Sequence, residues 1–366
     1  MSVRRPVIDE NIVLHTLIGE GSSGQVWTGV QRVDGSGSRP IVVKLINLVE
    51  YSGIRTIDER KTARLLQRFV SEVLVHELIA LADEKRSGDL CNKVACRLRR
   101  DADLLVTYGM RGVLLFPLVS TQTLASLLLP QRRRRGRAGE RQRQQRRNYT
   151  LRVMLDLARD VAALHEERIA HLDLKPANII VVDVGATPNA QKTILIDVGL
   201  SCAAIGLLDN AKLLFEQKRQ LIAEAIAKAF VGTSEWNFGP EQQLLLSLIG
   251  SVNLKEGVQC VVDRGSPLYM NRNLIGKSGF DAARREDMYA VGLIIYELAR
   301  GRSLDSDMNG RPLGDTASIV RDGLNSTLTV VDDQRVRLIV LELLHADTST
   351  WTMQTVVDYL QAAVNS

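Results

Sequence analysis

An α+β fold is predicted, with a strand-rich first third and a helical remainder. Three observations carry it. Residues 15–33 and 40–48 are β-rich, the second stretch reading PIVVKLINL, with β-branched residues around a single lysine. Over residues 54–83 the pattern turns helical, with Leu65, Leu66, Phe69, Val73, Val75, Leu78, Ile79 and Leu81 giving a broad apolar face. Residues 151–167 repeat that period through Leu151, Met154, Leu155, Ala158, Val161, Ala162 and Leu164.

The connecting segments follow in order. Residues 84–103 are polar and predict a loop, 113–119 a buried strand, and 124–129 a short helix interrupted by a low-complexity insert. That insert, residues 131–148, reads QRRRRGRAGERQRQQRRN, with nine Arg and one Glu. The chain of 366 residues carries a formal +5, so the +8 of this run leaves −3 for everything else. The insert has no aromatic residue to stack on bases. A solvated loop is its plain reading, and a docking patch for nucleic acid, acidic protein or anionic lipid the sharper one. Residues 207–230 have helical composition, predicting a packed helix, with an autoinhibitory or docking helix as the alternative.

With 45% hydrophobic and 24% charged residues the composition is that of a globular chain, not of a disordered tail, a collagen or a disulfide knot. Cys91, Cys96, Cys202 and Cys260 lack C-x-x-C spacing and are few for this length, so a reducing, intracellular setting, cytoplasmic by default, is expected. The start lacks the apolar core of a signal peptide. Residues 112–130 run 19 positions without charge, but Ser120, Thr121, Gln122 and Thr123 interrupt the apolar run, and no transmembrane helix is expected.

Chemistry enters at Gly19-Glu20-Gly21-Ser22-Ser23-Gly24, followed by Val26, inside strand-like sequence. Glycines let a backbone approach phosphates closely. A strand-borne lysine, Lys44, follows 20 residues after Gly24, where a dinucleotide fingerprint would open a helix. Further on stands His171-Leu172-Asp173-Leu174-Lys175-Pro176-Ala177-Asn178, and 19 residues after Asn178 comes Asp197, in Asp197-Val198-Gly199. Gly185, Pro188 and Asn189 predict the turn of a hairpin between these two motifs. The sequence here resembles the eukaryotic protein kinase family, in motif order, over most of the chain.

The resemblance implies a bilobal protein-kinase-like fold over residues 12–362, with a small β-rich lobe over about 12–119 and a larger helical lobe with long inserts beyond it. It implies ATP and Mg²⁺ as cofactors. Gly19, Gly21 and Gly24 would cover the triphosphate, Lys44 would hold its α and β phosphates, and a helix carboxylate, Glu72 or Glu77, would orient Lys44. Glu72 fits the family phrasing better but puts His76 where an apolar residue is usual. Asp173 would align the substrate hydroxyl, Lys175 would neutralise the γ phosphate, and Asn178 and Asp197 would ligate the metal. Val26, Val42 and Ile180 would enclose the adenine, with Phe116 as gatekeeper and Pro117, Leu118 and Val119 as hinge. Asp287 would accept hydrogen bonds from the catalytic-loop backbone.

Four departures qualify the resemblance. Leu172 replaces the arginine that pairs with a phosphorylated activation loop in many kinases, Val198 replaces phenylalanine, and Val42 replaces alanine. The segment after Asp197, with an insert over about 203–264, is long and ends at either Glu241 or Asn273, with Trp351 in the slot of the arginine partner. The expected activity is phosphoryl transfer to Ser/Thr hydroxyls of proteins. A pseudokinase that binds nucleotide or protein without turnover is the alternative.

Overall fold

The computed structural model describes residues 8, 10–21, 24–33, 37–52, 56–85, 89–95, 105–107, 111–128, 139–183, 191–204, 211–229, 239–252, 260–308, 316–326 and 328–366. It is mixed α+β, with an antiparallel sheet first and mostly helices after. Two compact units divide the chain. One comprises Met1–Leu81, Ala95–Val119 and Ile205–Val258, the other Ala82–Val94, Ser120–Ala204 and Gln259–Ser366.

The first unit is built on strands β1 (Ile12–Gly21), β2 (Gly24–Val33), β3 (Gly37–Asn47), β4 (Leu105–Thr107) and β5 (Arg111–Pro117), in the order β1-β2-β3-β5-β4. Side chains of a strand alternate between faces. Trp27, Ile41, Val43, Leu45, Val113 and Leu115 therefore join Ile12 and Leu14 in one buried cluster. Val42 and Lys44 alternate with that set and stay half-buried, as does Val26 opposite Lys44. Helix α1 (Glu59–Lys85) packs its Phe69 against β5, where a Cβ at Gly112 would come within 2.4 Å of the ring. Only glycine permits that approach. Every residue from 69 to 77 is buried, polar ones included, so this helix is covered all round rather than on one face. Leu81, expected on the apolar face, is exposed.

The second unit centres on a long helix and a buried one. In chain order it holds α2 (Leu124–Leu128), α3 (Glu140–Glu166), the strand pairs β6 (Ile169–Ala170) with β9 (Cys202–Ala203) and β7 (Ile179–Asp183) with β8 (Gln191–Leu195). The expected hairpin turn lies outside the described residues. Helices α4 (Ala211–Ala229) and α5 (Gly239–Ser251) belong to the first unit. The second unit then resumes with α6 (Phe280–Arg300), α7 (Asp305–Met308), α8 (Thr316–Leu324), α9 (Gln334–Leu344) and α10 (Met353–Val364). Helix α3 packs against α10, β8 and α6, and α6 is buried from Glu286 to Ala299.

Three expectations need correction. The Arg-rich run is not all loop: residues 140–148 open α3, and Arg147 pairs with Asp333 at 3.1 Å, while 131–138 lie outside the described residues. Arg and Gln are good helix formers, which explains how so polar a run extends a helix. The lobe boundary at Val119 does not divide the chain cleanly, because residues 205–258 join the sheet unit through the packing of α4 on β4. Finally, the described cysteines are disulfide-bonded rather than reduced thiols. Cys202 and Cys260 form a disulfide with Cα atoms 5.1 Å apart, Cys91 is also disulfide-bonded, and Cys96 lies outside the described residues. A pair separated by 58 residues leaves no local spacing signature. Among the described residues no helix is long and apolar enough to cross a membrane.

Candidate active site

The candidate residues fall into two sets, one in each unit. In the first, the β1–β2 hairpin closes with Gly21 opposite Gly24. Gly24 has φ of +151°, and a Cβ there would lie 1.8 Å from the Leu45 carbonyl, so glycine is obligatory. Gly21 faces open space. Ser22 and Ser23 lie outside the described residues.

β3 presents Lys44 on the face that the sheet's own core leaves unfilled. Its Nζ lies 2.6 Å from Glu72 Oε1, with the lysine side chain 17% exposed and the glutamate 6%. A buried carboxylate is tolerable when it is paired in this way. This selects Glu72 over Glu77, whose partner is Lys218 at 3.4 Å. His76, one turn after Glu72, packs its ring against Phe116 at 5.1 Å between centroids. An aromatic contact thus serves where an apolar residue was expected. Phe116 pairs in register with Val42, so Val26, Val42, Lys44 and Phe116 share one half-buried face. Beyond it the Leu118 amide donates to the Pro40 carbonyl, and the Val119 side chain is 45% exposed.

The second set is organised by α6. Asp287, 1% exposed, accepts from the His171 amide at 2.7 Å and from the Leu172 amide at 2.8 Å, and His165 Nε2 lies 3.0 Å from the same carboxylate. These bonds hold Leu172 at φ of +61°, a left-handed conformation disfavoured for a branched side chain. The expected role of Asp287 is met. His171, fully buried, directs Nε2 at the Ile196 carbonyl, while its Nδ1 accepts from the Asp173 amide. The 171–173 loop and the chain before Asp197 are thereby tied together.

Asp173 sits in a closed network. Lys175 Nζ donates to its Oδ2 at 2.8 Å, and Asn178 Nδ2 donates to the same oxygen at 3.0 Å and to the Asp173 carbonyl at 2.8 Å. Ser266 Oγ donates to Oδ1 at 2.8 Å and accepts from Lys175 at 2.9 Å. The sequence reading missed Ser266. It lies in Gly265-Ser266-Pro267, the stretch that leads into Asn273, one of the two candidate segment ends. The β7–β8 register pairs Ile179 with Leu195, and the Ile196 amide donates to the Asn178 carbonyl at 3.0 Å. Asp197 follows at once, exposed and at φ of +62°. Ile180 is half-buried on β7 and bridges Thr123.

The turn that carries Ser266 is anchored from below. Tyr269 donates to both oxygens of Glu297 at 3.1 Å, and burial raises the Glu297 carboxyl to about 7. The Asn271 amide donates to both oxygens of Glu286 at 3.1 Å, and burial raises that carboxyl to about 8. Asn273 Nδ2 reaches Asp347 at 3.2 Å, and Arg285 donates to the carbonyls of Ala346 and Asp347 at 2.9 and 2.6 Å. Trp351, expected in the arginine slot, sets its ring against Tyr359 at 4.8 Å between centroids, tilted by 36°. Of the two candidate segment ends, Asn273 follows this anchored turn, whereas Glu241 lies in α5 of the first unit.

Among the described residues no group of three or more His, Cys, Asp or Glu side chains could hold a metal ion. The candidate oxygen ligands are one amide and one carboxylate. Asn178 engages Asp173 through its amide nitrogen and Asp197 is exposed; an amide oxygen and a carboxylate are donors of the kind a hard cation takes. A scan of protein-family models finds no match to the chain, and a search of curated proteins finds none.

Proposed function

We propose that this chain is an ATP-dependent protein kinase acting on Ser/Thr hydroxyls of proteins. The observation that carries the reading is the Asp173 carboxylate, held by Lys175, Asn178 and Ser266 within 3.0 Å. Such a carboxylate is fixed in direction and surrounded by donors. It can orient a hydroxyl for in-line attack, while the Lys175 ammonium beside it offsets charge on the transferred group. The Lys44–Glu72 pair supports the same reading, since it holds an ammonium where phosphate oxygens of ATP would lie beneath a glycine hairpin.

Mg²⁺ would supply charge neutralisation and alignment of the phosphates, with Asn178 and Asp197 as its protein ligands. The half-buried face of Val26, Val42 and Phe116, with Leu118 and Val119 beyond it, would accept the adenine. The test is phosphorylation with ATP and Mg²⁺, comparing wild type with Lys44→Met, Asp197→Ala and Asp173→Asn, followed by mapping of modified residues. Incorporation on serine or threonine, lost in all three variants, is expected. Phosphorylation that survives in Asp173→Asn would sink the mechanism, and nucleotide binding without turnover in wild type would establish the scaffold alternative.

A further inference from the structure

We propose that helix α4 fastens α1 in the orientation that keeps Glu72 on Lys44, with Lys218 as the positioning residue. The role assigned to Lys44 rests on the kinase reading; the fastening does not. Glu72 and Glu77 are five residues apart on α1, about 140° around the helix axis at 3.6 residues per turn. They therefore lie on different faces. Glu72 meets Lys44 from β3 at 2.6 Å, and Glu77 meets Lys218 from α4 at 3.4 Å. One helix is gripped by a cation from each of two elements.

Lys218 is an unusual residue for its place. It is 7% exposed, and its helical neighbours Phe215, Ile222, Ala225 and Ile226 are all buried. A lysine set in an apolar stripe gains nothing from packing that leucine would not supply, and burying its charge is costly without a partner. Its partner, Glu77, is 8% exposed. A buried ion pair of this kind contributes register more than stability, because any slip pulls two buried charges apart. Here register means the rotation of α1, and rotation of α1 moves Glu72. The complete burial of residues 69–77 fits a helix held on both sides. Helix α4 itself is seated on α5 and β4, so Lys218 projects from a supported element.

The experiment uses the full chain as wild type, Lys218→Met, Lys218→Arg and Glu77→Gln, with two readouts. Backbone hydrogen exchange is followed over residues 66–80 and, as a control for general loosening, over residues 280–300 of α6. ATP turnover is followed with kcat and KM for ATP separated. Lys218→Met and Glu77→Gln should speed exchange in 66–80 only and lower kcat/KM for ATP about three- to thirtyfold, the span of typical coupling energies. Lys218→Arg should retain wild-type behaviour in both, because it keeps the charge. Unchanged exchange in 66–80, equal loss of protection in 280–300, or unaltered kinetics beside a loosened α1 would each overturn the proposal. If wild type consumes no ATP, the proposed function fails by itself, and the exchange arm alone decides the fastening.

Discussion

Replacing Ser266 with alanine removes one hydroxyl and two hydrogen bonds: the one it gives to Asp173 Oδ1 at 2.8 Å and the one it takes from Lys175 Nζ at 2.9 Å. Each involves a charged group, for which roughly 1.5–3 kcal/mol is typical when solvent is excluded. Asp173 is 9% exposed, so its bond keeps most of that worth. Lys175 is 27% exposed and retains its direct bond to Asp173, so its half is partly screened and partly redundant. A net loss of about 2 kcal/mol in positioning follows, or about thirtyfold in rate. Under the proposed function the effect should fall on kcat rather than on KM for ATP, because Asp173 and Lys175, which Ser266 touches, are proposed to act on the hydroxyl and the transferred group rather than to anchor ATP. The assay is steady-state phosphorylation of a protein substrate by wild type, Ser266→Ala and Ser266→Thr. Threonine keeps the hydroxyl and should stay within about threefold of wild type, the size of a small packing adjustment of well under 1 kcal/mol. Equal kcat in Ser266→Ala and wild type, or equal loss in Ser266→Thr and Ser266→Ala, would refute the assignment.

Two further perturbations follow from the same anchoring of α6 and the segment before it. Burial, aided by the charge of Asp287, raises Glu286 from 4.5 to about 8, so the folded protein holds this proton more tightly than the unfolded chain. Its contribution to stability is present below 4.5 and is lost as pH rises to about 8, up to roughly 5 kcal/mol in all. Glu286→Gln should therefore flatten the dependence of thermal unfolding on pH across that window, and parallel curves for the two proteins would contradict the burial argument. The Cys202–Cys260 bond closes a loop with a sequence separation of 58, so opening it should cost about 4 kcal/mol of chain entropy. A dithiol reductant should lower the Tm of wild type more than that of Cys202→Ser/Cys260→Ser, and equal shifts would locate the redox effect at Cys91 instead.

Much of this site was legible because its residues act close to one another in sequence. Asp173, Lys175 and Asn178 lie within six positions, and the alternation of β3 alone places Val42 and Lys44 on one face. Contacts that close across distance were not legible. Ser266 meets Asp173 over 93 positions, and Lys218 meets Glu77 only because residues 205–258 join the sheet unit. Choosing Glu72 over Glu77 needed coordinates, since both are buried acids on one helix. The Arg-rich run misled because low complexity and helix propensity are separate properties, and Arg and Gln satisfy both.

The departure at Leu172 has a physical counterpart in the second unit. Leu172 is 6% exposed and packs in one buried cluster with Ala170, Cys202, Cys260, Val262, Leu274 and Ala283. An arginine in that position would have to bury a guanidinium among apolar atoms or find a phosphate to pair with it. The cluster instead contains a disulfide that joins the chain on either side of the 203–259 stretch, immediately before the turn that carries Ser266. A covalent bond and apolar packing need no added charge to hold that turn in place. The Tyr269–Glu297 and Asn271–Glu286 bonds then orient it against α6, the helix whose Asp287 also sets the backbone of Leu172. Under the proposed function, the geometry around Asp173 is therefore assembled by folding and oxidation rather than by phosphorylation of the segment, and the loss of the arginine removes a partner that this arrangement does not require.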